Sequence, residues 1–500
     1  MLEADAGKVF MIGIYGKELT EESKRVLGEI RPGFVILFSR NVDTPEQVKK
    51  LTDDVSDYLG YRPIFAVDQE GGNVLRLKDG FSTLPSAMAC AATGHPELIK
   101  GAVNAMSSEL KAVGIDFNLA PVVDINTDPF NPVIGTRSYS DDVDAVVEFA
   151  SSFLEGSKSA RIMTCLKHFP GLGSVSVDPH YDLPVIEKSY NELYKFDLIP
   201  FRKLNADALM PSHVYLHQVQ KDGLPASLSK EIINGIARES LVFKGLIVSD
   251  DLLMGGVSGF STEDRIRLAF DAGNDVLVVC HEPDLQLRAS KYFKEMIKED
   301  RIIKNKFTKV LERIMLVIQD FQHEARPSMD LINCQEHRQI MKTIAEKSIT
   351  VVKQEKLELP LRTLDTVLTM VSPPFSPVSD NPENKIPSIV LEVAKEFGVN
   401  YSWFSEKNLP SAQGLKGKSI ILFTYDAYRS DVLRKFIKEL DEHSNLLLVA
   451  LRNPYDALLV KNSLAVYGSL EIQQNAIFDV LTGKIKPTGT LPLKRREVVL

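Results

Sequence analysis

The chain has only four cysteines in 500 residues, Cys90, Cys165, Cys280 and Cys334, and no C-x-x-C pair among them. That spread excludes a disulfide framework and a cysteine-based zinc site; three of the four sit in apolar surroundings, as buried thiols do. No apolar run approaches the roughly 18 residues of a membrane span. The N-terminus carries Glu3 and Asp5 where a signal peptide wants positive charge, and its apolar part runs only from Val9 to Ile14. A cytoplasmic protein with no membrane partner is the expectation. Blocks of like charge are lacking too: 59 basic and 67 acidic residues are interspersed, for a formal net charge of −8. Nucleic acid and anionic lipid want clustered Lys and Arg, so neither is an expected partner. A neutral, hydroxyl-rich substrate suits this balance.

What is present is a repeated cycle of short apolar run, loop and amphipathic segment. The runs are Val9–Tyr15, Phe34–Phe38, Ile64–Val67, Phe117–Val123, Ile162–Leu166, Ala208–Met210, Leu246–Val248 and Val276–Cys280. They are near-continuous rather than alternating, as parallel strands buried on both faces should be. Between them, Thr44-Pro45-Glu46-Gln47 opens a helix as a capping box, and 141–155, 200–204 and 262–272 are further helices. Eight strand–helix cycles predict an α/β fold that begins with an N-terminal (β/α)8 TIM-like barrel, a doubly wound sheet being the alternative. A helical pattern over 308–322 ends at Arg326-Pro327, and a connector helix over 332–347 leads to a strand at 349–352. Further strands at 367–371, 419–425 and 445–451, with a helix at 430–442, predict a smaller three-layer αβα sandwich. The expected division is 1–325, a linker over 326–348, and 349–500. The Pro-rich piece 372–387 is a loop.

Barrel enzymes collect their chemistry at the C-terminal strand ends. Here the third run ends in Asp68-Gln69-Glu70, with Arg76 soon after; the fourth ends in Asp124, with Asn118 inside it and Arg137 following. The fifth ends in Lys167-His168, the sixth is followed by His213, and the seventh ends in Asp250-Asp251. A single acid at such a place is more often a helix cap than a catalyst, and Asp251 fits a cap for 252–254. Asp116 and Asp124 have the alternative of pairing with nearby arginines, and His213 that of a satisfied core imidazole. The clustering of Asp68, Lys167, His168 and Asp250 points to function instead. No H-x-x-x-H or H-x-H spacing is present and Lys167 would place a cation beside any ion, so no metal is expected. A Schiff-base lysine needs a lowered pKa, and carboxylates nearby push it up. A sugar site remains: carboxylate, Lys and Arg bind adjacent hydroxyls, one Asp attacks the anomeric carbon, and a second group protonates the leaving oxygen.

D-Q-E-G-G-N-V-L-R-L at 68–77, K-H-F-P-G-L-G-S-V-S-V-D-P-H at 167–180 and S-D-D-L-L-M at 249–254 resemble glycoside hydrolase family 3, in its β-N-acetylglucosaminidase subgroup. The resemblance continues through A-E-K-S-I-T-V-V-K and T-G-K-I-K-P-T-G-T-L-P-L in the second domain. It implies a retaining exo-β-N-acetylglucosaminidase acting on GlcNAc-containing oligosaccharides from peptidoglycan or chitin, with no cofactor. Asp250 would be the nucleophile and His180 the general acid/base, with Asp178 as its dyad partner. Asp68, Arg76, Arg137, Lys167 and His168 would hold the terminal GlcNAc, and His213 joins them as a substrate contact. A histidine near its ordinary pKa both gives and accepts a proton near neutrality, and Gly171 and Gly173 would let its loop swing. Leu172 stands where the subgroup has a histidine, Ser174-Val175 where it has Asp-Thr, and Pro179 where it has a serine. The alternatives are a β-N-acetylglucosaminide phosphorylase, whose incoming phosphate a histidine does not repel, a β-glucosidase, and a sugar-binding regulator without turnover.

Overall fold

The structure, a computed structural model, describes residues 2–322, 325–356, 358–371 and 386–494. The front of the chain builds eight parallel strands: β1 (Phe10–Gly13), β2 (Phe34–Leu37), β3 (Ile64–Val67), β4 (Phe117–Asn118), β5 (Met163–Phe169), β6 (Ala208–Pro211), β7 (Leu246–Ile247) and β8 (Leu277–Val279). They lie side by side in the order β7-β6-β5-β4-β3-β2-β1-β8. The two outermost strands meet through a parallel bridge between Val248 and Val276, where the Ser249 N–H donates to the Val276 carbonyl at 3.0 Å. The sheet therefore curls back on itself. Every residue of β1, β2, β3, β5 and β6 is buried, which is why these runs carry so little polar alternation.

Helices separate the strands where the sequence pattern predicts them, with local chemistry at their ends. The Thr44 hydroxyl accepts from the Gln47 N–H, while the Gln47 amide reaches Asp43 rather than closing the expected reciprocal box. Helix Thr262–Ala272 has the predicted bounds, with Ser261 as its cap and Gly273 at φ 119° after it. Two differences have physical reasons. The fourth strand was expected over 117–123 but pairs regularly only at Phe117–Asn118, because Pro121 has no N–H to give the ladder; a single bridge from Val122 to Lys167 follows. The segment between β6 and β7 forms a π-helix, Glu231–Ser240, which the sequence reading passes over although Ile232, Ile233, Ile236 and Ala237 make one buried helical face.

The rear of the chain forms a six-stranded sheet: β9 (Thr350–Gln354), β10 (Thr366–Met370), β11 (Asn400–Phe404), β12 (Ser419–Thr424), β13 (Asn445–Ala450) and β14 (Asn462–Ala465). Their order is β9-β14-β13-β12-β10-β11, parallel except for β9 against β14. The sequence reading misses β11, whose first four residues are exposed at the sheet edge, and β14, which has only two apolar residues. It also misses helices Ser388–Phe397 and Glu471–Leu481. The predicted loop 372–387 falls almost wholly outside the described residues. Helix Gln335–Ser348 joins the two parts: Met341 and Ile344 pack into the first core and Ala345 into the second. Among the described residues no helix is long and apolar enough to cross a membrane.

Candidate active site

The segment after β3 is folded by its own side chains. Gln69 accepts the N–H groups of Arg76 and Leu77 on Oε1 and donates Nε2 to the Leu77 carbonyl at 2.8 Å. Asn118 on β4 straps the other side, accepting the Gln69 N–H and donating to its carbonyl. Gly72 turns the chain at φ 59°, where a Cβ would meet that of Ser86 at 2.6 Å. This clamp brings Arg76 back to within 3.8 Å of Asp68. Asp68 and Glu70 are two residues apart on extended chain and so share a side.

Strand β5 supplies the cation they face. Lys167 Nζ is 2.7 Å from both Asp68 and Glu70. Arg137 grips Glu70 through Nε and Nη2, each at 2.8 Å, with Nη1 on the Val133 carbonyl. His168 Nδ1 lies 2.7 Å from Asp124, which fixes its proton on that nitrogen and turns Nε2 toward Arg137 at 3.4 Å. Asp124 also accepts the N–H groups of His168 and Leu172. It thus serves a histidine and a loop, not the arginine that was its alternative partner, whereas Asp116 pairs with Arg62 and Lys111.

The two remaining groups come from loops. His180 Nδ1 is 2.6 Å from Asp178, whose same oxygen accepts the His180 backbone N–H at 2.9 Å. Asp250 follows β7, and its Oδ1 accepts the Asp251 N–H. Asp251 accepts from Leu253 and from Cys280, and the residues after it, 252–254, form a turn rather than the helix it was expected to cap.

These elements enclose a cavity of about 330 Å³ at the C-terminal ends of the strands, lined by Asp68, Arg76, Arg137, Lys167, His168, His180 and Asp250 among others. Two predicted residues stand behind its wall. Asp178 is buried under His180. His213 is fully buried, with Nδ1 at 2.6 Å from the Ser227 hydroxyl and Nε2 at 2.9 Å from the Asp251 carbonyl. A carbonyl only accepts, so Nε2 carries the proton and both ring nitrogens are taken. Burial pushes its pKa down.

The electrostatics divide the cavity. Burial raises the carboxyls of Asp68 and Glu70, but Lys167 and Arg76 for the first, and Arg137 and Lys167 for the second, outweigh it and hold both low. Burial lowers Lys167, and Asp68 and Glu70 more than restore it, so it is a held cation and not a Schiff-base amine. At Asp251 burial outweighs the N–H groups of Cys280 and Leu253 and pushes the carboxyl up to about 6. Among the described residues no group of three or more His, Cys, Asp or Glu has the geometry to hold a metal ion. The ends of β2 and β8, which the sequence reading passes over, add Phe38 and His281, with ring centres 5.0 Å apart. His281 is lowered to about 4 by burial and by Arg40 and Arg76. Of the missed groups, Glu70 was legible from its two-residue spacing to Asp68; Phe38 and His281 carry no such signal.

Residues 1–317 match the glycosyl hydrolase family 3 N-terminal domain. A β-hexosaminidase from Psychromonas ingrahamii is 35% identical over 329 residues, which are 62% of this chain and 96% of that protein. One from Thiobacillus denitrificans is 37% identical over 285 residues, 55% of this chain and 79% of that protein. Both parts of the chain, front and rear, are matched by a solved glycoside hydrolase family 3 β-N-acetylglucosaminidase from Paenibacillus sp. str. FPU-7, 28% identical, TM-score 0.89, covering 99% of this chain and 98% of that one. By this likeness along its length, the chain belongs to glycosyl hydrolase family 3, as a glycoside hydrolase of the β-N-acetylhexosaminidase type.

Proposed function

We propose that the chain is a retaining exo-acting enzyme that removes terminal β-linked GlcNAc from oligosaccharides such as peptidoglycan or chitin fragments. The observation that carries this reading is that His180 and Asp250, from loops 70 positions apart, line one cavity with Asp68, Arg76, Arg137, Lys167 and His168. Asp68, Lys167, Arg76, Arg137 and His168 hold the sugar. The ion pairs among them keep each donor and acceptor in place before the hydroxyls arrive, so little ordering is left to the binding step. A cavity at the small end of the roughly 300–1,000 Å³ range of ligand pockets suits one terminal unit rather than a chain running through.

Asp250 attacks the anomeric carbon and forms a glycosyl ester as the C–O bond to the aglycone breaks. His180 gives its Nε2 proton to the departing oxygen, then takes a proton from the water that releases the sugar. Asp178 fixes the ring through Nδ1 and stabilises the imidazolium, as a carboxylate does in a hydrolytic triad. His213 contributes from behind by holding the Asp251 carbonyl beside the nucleophile. The curled sheet is read here as a (β/α)8 barrel and the rear sheet as a three-layer sandwich from about residue 349, with 326–348 as the connector.

Incubation with a fluorinated GlcNAc donor that forms the ester quickly and loses it slowly tests the scheme. Intact-mass measurement should show one added sugar, and peptide mapping should place it on Asp250. A label on another carboxylate, or turnover of the donor with no ester, overturns the assignment.

A further inference from the structure

The rear domain contributes no side chain to the cavity wall among the described residues. It does hold the back of the loop over 126–141, which carries Arg137. Tyr428 donates its hydroxyl to the Pro129 carbonyl at 2.6 Å, and its ring lies 5.6 Å from that of Phe130. Arg429 donates Nη1 to the Phe130 carbonyl at 2.8 Å and Nη2 to the Asn131 carbonyl at 2.7 Å. Asp456, fully buried, accepts the N–H groups of Ala427 and Tyr428 and so fixes the turn that presents both side chains.

Asn131 is itself buried, and its amide faces the catalytic loop. Nδ2 donates to the Leu172 carbonyl at 2.6 Å, while Oδ1 is occupied by the N–H groups of Val133 and Ile134. Beside it, the N–H groups of Thr127 and Asp128 converge on the Gly173 carbonyl at 3.1 and 3.2 Å. Gly173 is pressed so closely on Ile125 that a Cβ would lie 1.6 Å from its carbonyl oxygen. The foot of the loop bearing Asp178 and His180 is therefore seated on the segment that the rear domain grips. Its head is held elsewhere, by Gly255 N–H on the His180 carbonyl and Gly256 N–H on the Pro179 carbonyl.

We infer that Arg429 and Tyr428 are positioning residues for the acid/base: through the 129–131 carbonyls and the Asn131 amide they set where Leu172, and with it His180, stands over the cavity. This rests on the reading of His180 as the proton donor. The contacts act on the loop and not on the sugar's own partners, so the defect from losing them falls on proton delivery to the leaving group.

The test compares kcat/KM, which reports steps through ester formation, for two GlcNAc substrates. One is chitobiose, whose alkoxide leaves only with a proton; the other is 2,4-dinitrophenyl β-GlcNAc, whose phenolate leaves without help. Arg429→Ala should lower the first about tenfold, below the roughly 10²–10⁴-fold that a full general acid supplies, and leave the second nearly unchanged. Arg429→Lys should recover part of the loss. Tyr428→Phe, which keeps the ring and removes one hydrogen bond, should give the same selectivity at smaller amplitude. Equal losses on both substrates, as a general loosening or a displaced Arg137 would give, overturn the inference, as does no loss on either. His180→Ala measured alongside separates the two levels. If it shows the leaving-group selectivity and both rear-domain variants do not, only the coupling fails; if it does not show it, the proton-donor reading fails.

Discussion

Both sheets of this molecule collect charged groups at the C-terminal ends of their parallel strands, and only one of them makes a cavity of it. After β3 and β4 stand Asp68, Glu70, Asp124 and Arg137, and near the end of β5 stands Lys167, with ion pairs as short as 2.7 Å among them. After β12 and β13 stand Asp426, Arg452, Asn453 and Asp456, with Arg452 at 2.9 Å from Asp426. Burial is as deep in the second cluster: Asp456 is fully enclosed and Asn453 is 1% exposed. The difference is what lies above. Over the front cluster the loops stand apart and leave about 330 Å³ of space; over the rear one the 126–141 segment closes down, with Gly135 against the Asn453 amide and Asn126 on the Tyr455 hydroxyl. Clustered, perturbed ionisable groups at strand ends thus mark two kinds of place, a reactive one and a docking one, and access separates them.

The largest effect that would break this comparison is at Asp250, the proposed nucleophile. Asp250→Ala should lower turnover by roughly 10⁴-fold or more, on the scale of losing a covalent nucleophile elsewhere, while calorimetry still detects GlcNAc binding. Turnover within about tenfold of the parent would mean the front cavity is no more catalytic than the rear cluster. Next come matched deletions of one anion from each cluster. Glu70→Ala takes from Arg137 the carboxylate it grips through two nitrogens, and Asp426→Ala removes the carboxylate 2.9 Å from Arg452; each should cost about 3–5 kcal/mol of unfolding free energy, since one partner of a buried ion pair is lost. Their kinetics should part company: on an activated aryl GlcNAc substrate the first raises KM by about tenfold or more and the second leaves it within about twofold. A comparable KM rise from Asp426→Ala would show that the rear cluster touches sugar binding directly.

How much of this was legible in the sequence follows the same division. The strands of the front sheet declare themselves because burial on both faces leaves unbroken apolar runs, and the charges that end them stand out by contrast. Strand β4 was read too long because apolar character persists past the point where Pro121 ends the pairing. Of the nine predicted site residues, seven line the cavity and Asp178 sits directly behind one of them. His213 is the one the geometry turns away: the satisfied imidazole weighed against it matches the observed bonds. Gly173 taught the opposite of what was expected. A glycine in a catalytic loop reads as a hinge, but here it permits contact with the Ile125 carbonyl and so anchors the loop. Such a contact joins residues 48 positions apart along the chain, and no local pattern encodes it. The same limit hid the pairing of Asp124 with His168, and which carboxylates would meet a cation.

That last distinction carries the smallest prediction, a contrast inside the front cavity itself. Asp68 and Asp251 both line it, yet Lys167 and Arg76 overcome burial at the first, while burial prevails at the second and pushes its carboxyl up to about 6. A folded carboxyl that binds its proton more tightly than the unfolded one destabilises the fold as pH rises from the ordinary value to the raised one, and the loss is complete above it. For Asp251 that window runs from 3.8 to about 6. At about 1.4 kcal/mol per tenfold in proton affinity, the ionised side chain costs roughly 3 kcal/mol at pH 8 and roughly 1 kcal/mol at pH 4.5. Asp251→Asn keeps an oxygen for the Leu253 and Cys280 N–H groups and removes the charge. Urea unfolding should then find the variant more stable than the parent by about those amounts, the gain shrinking as pH falls. Asp68→Asn should do the reverse, losing stability at pH 8 because its carboxylate is the form the cations favour. A gain at Asp251 independent of pH would assign it to packing rather than charge, and a loss at pH 8 would mean that the carboxylate beside Asp250 is as well satisfied as the one beside Lys167.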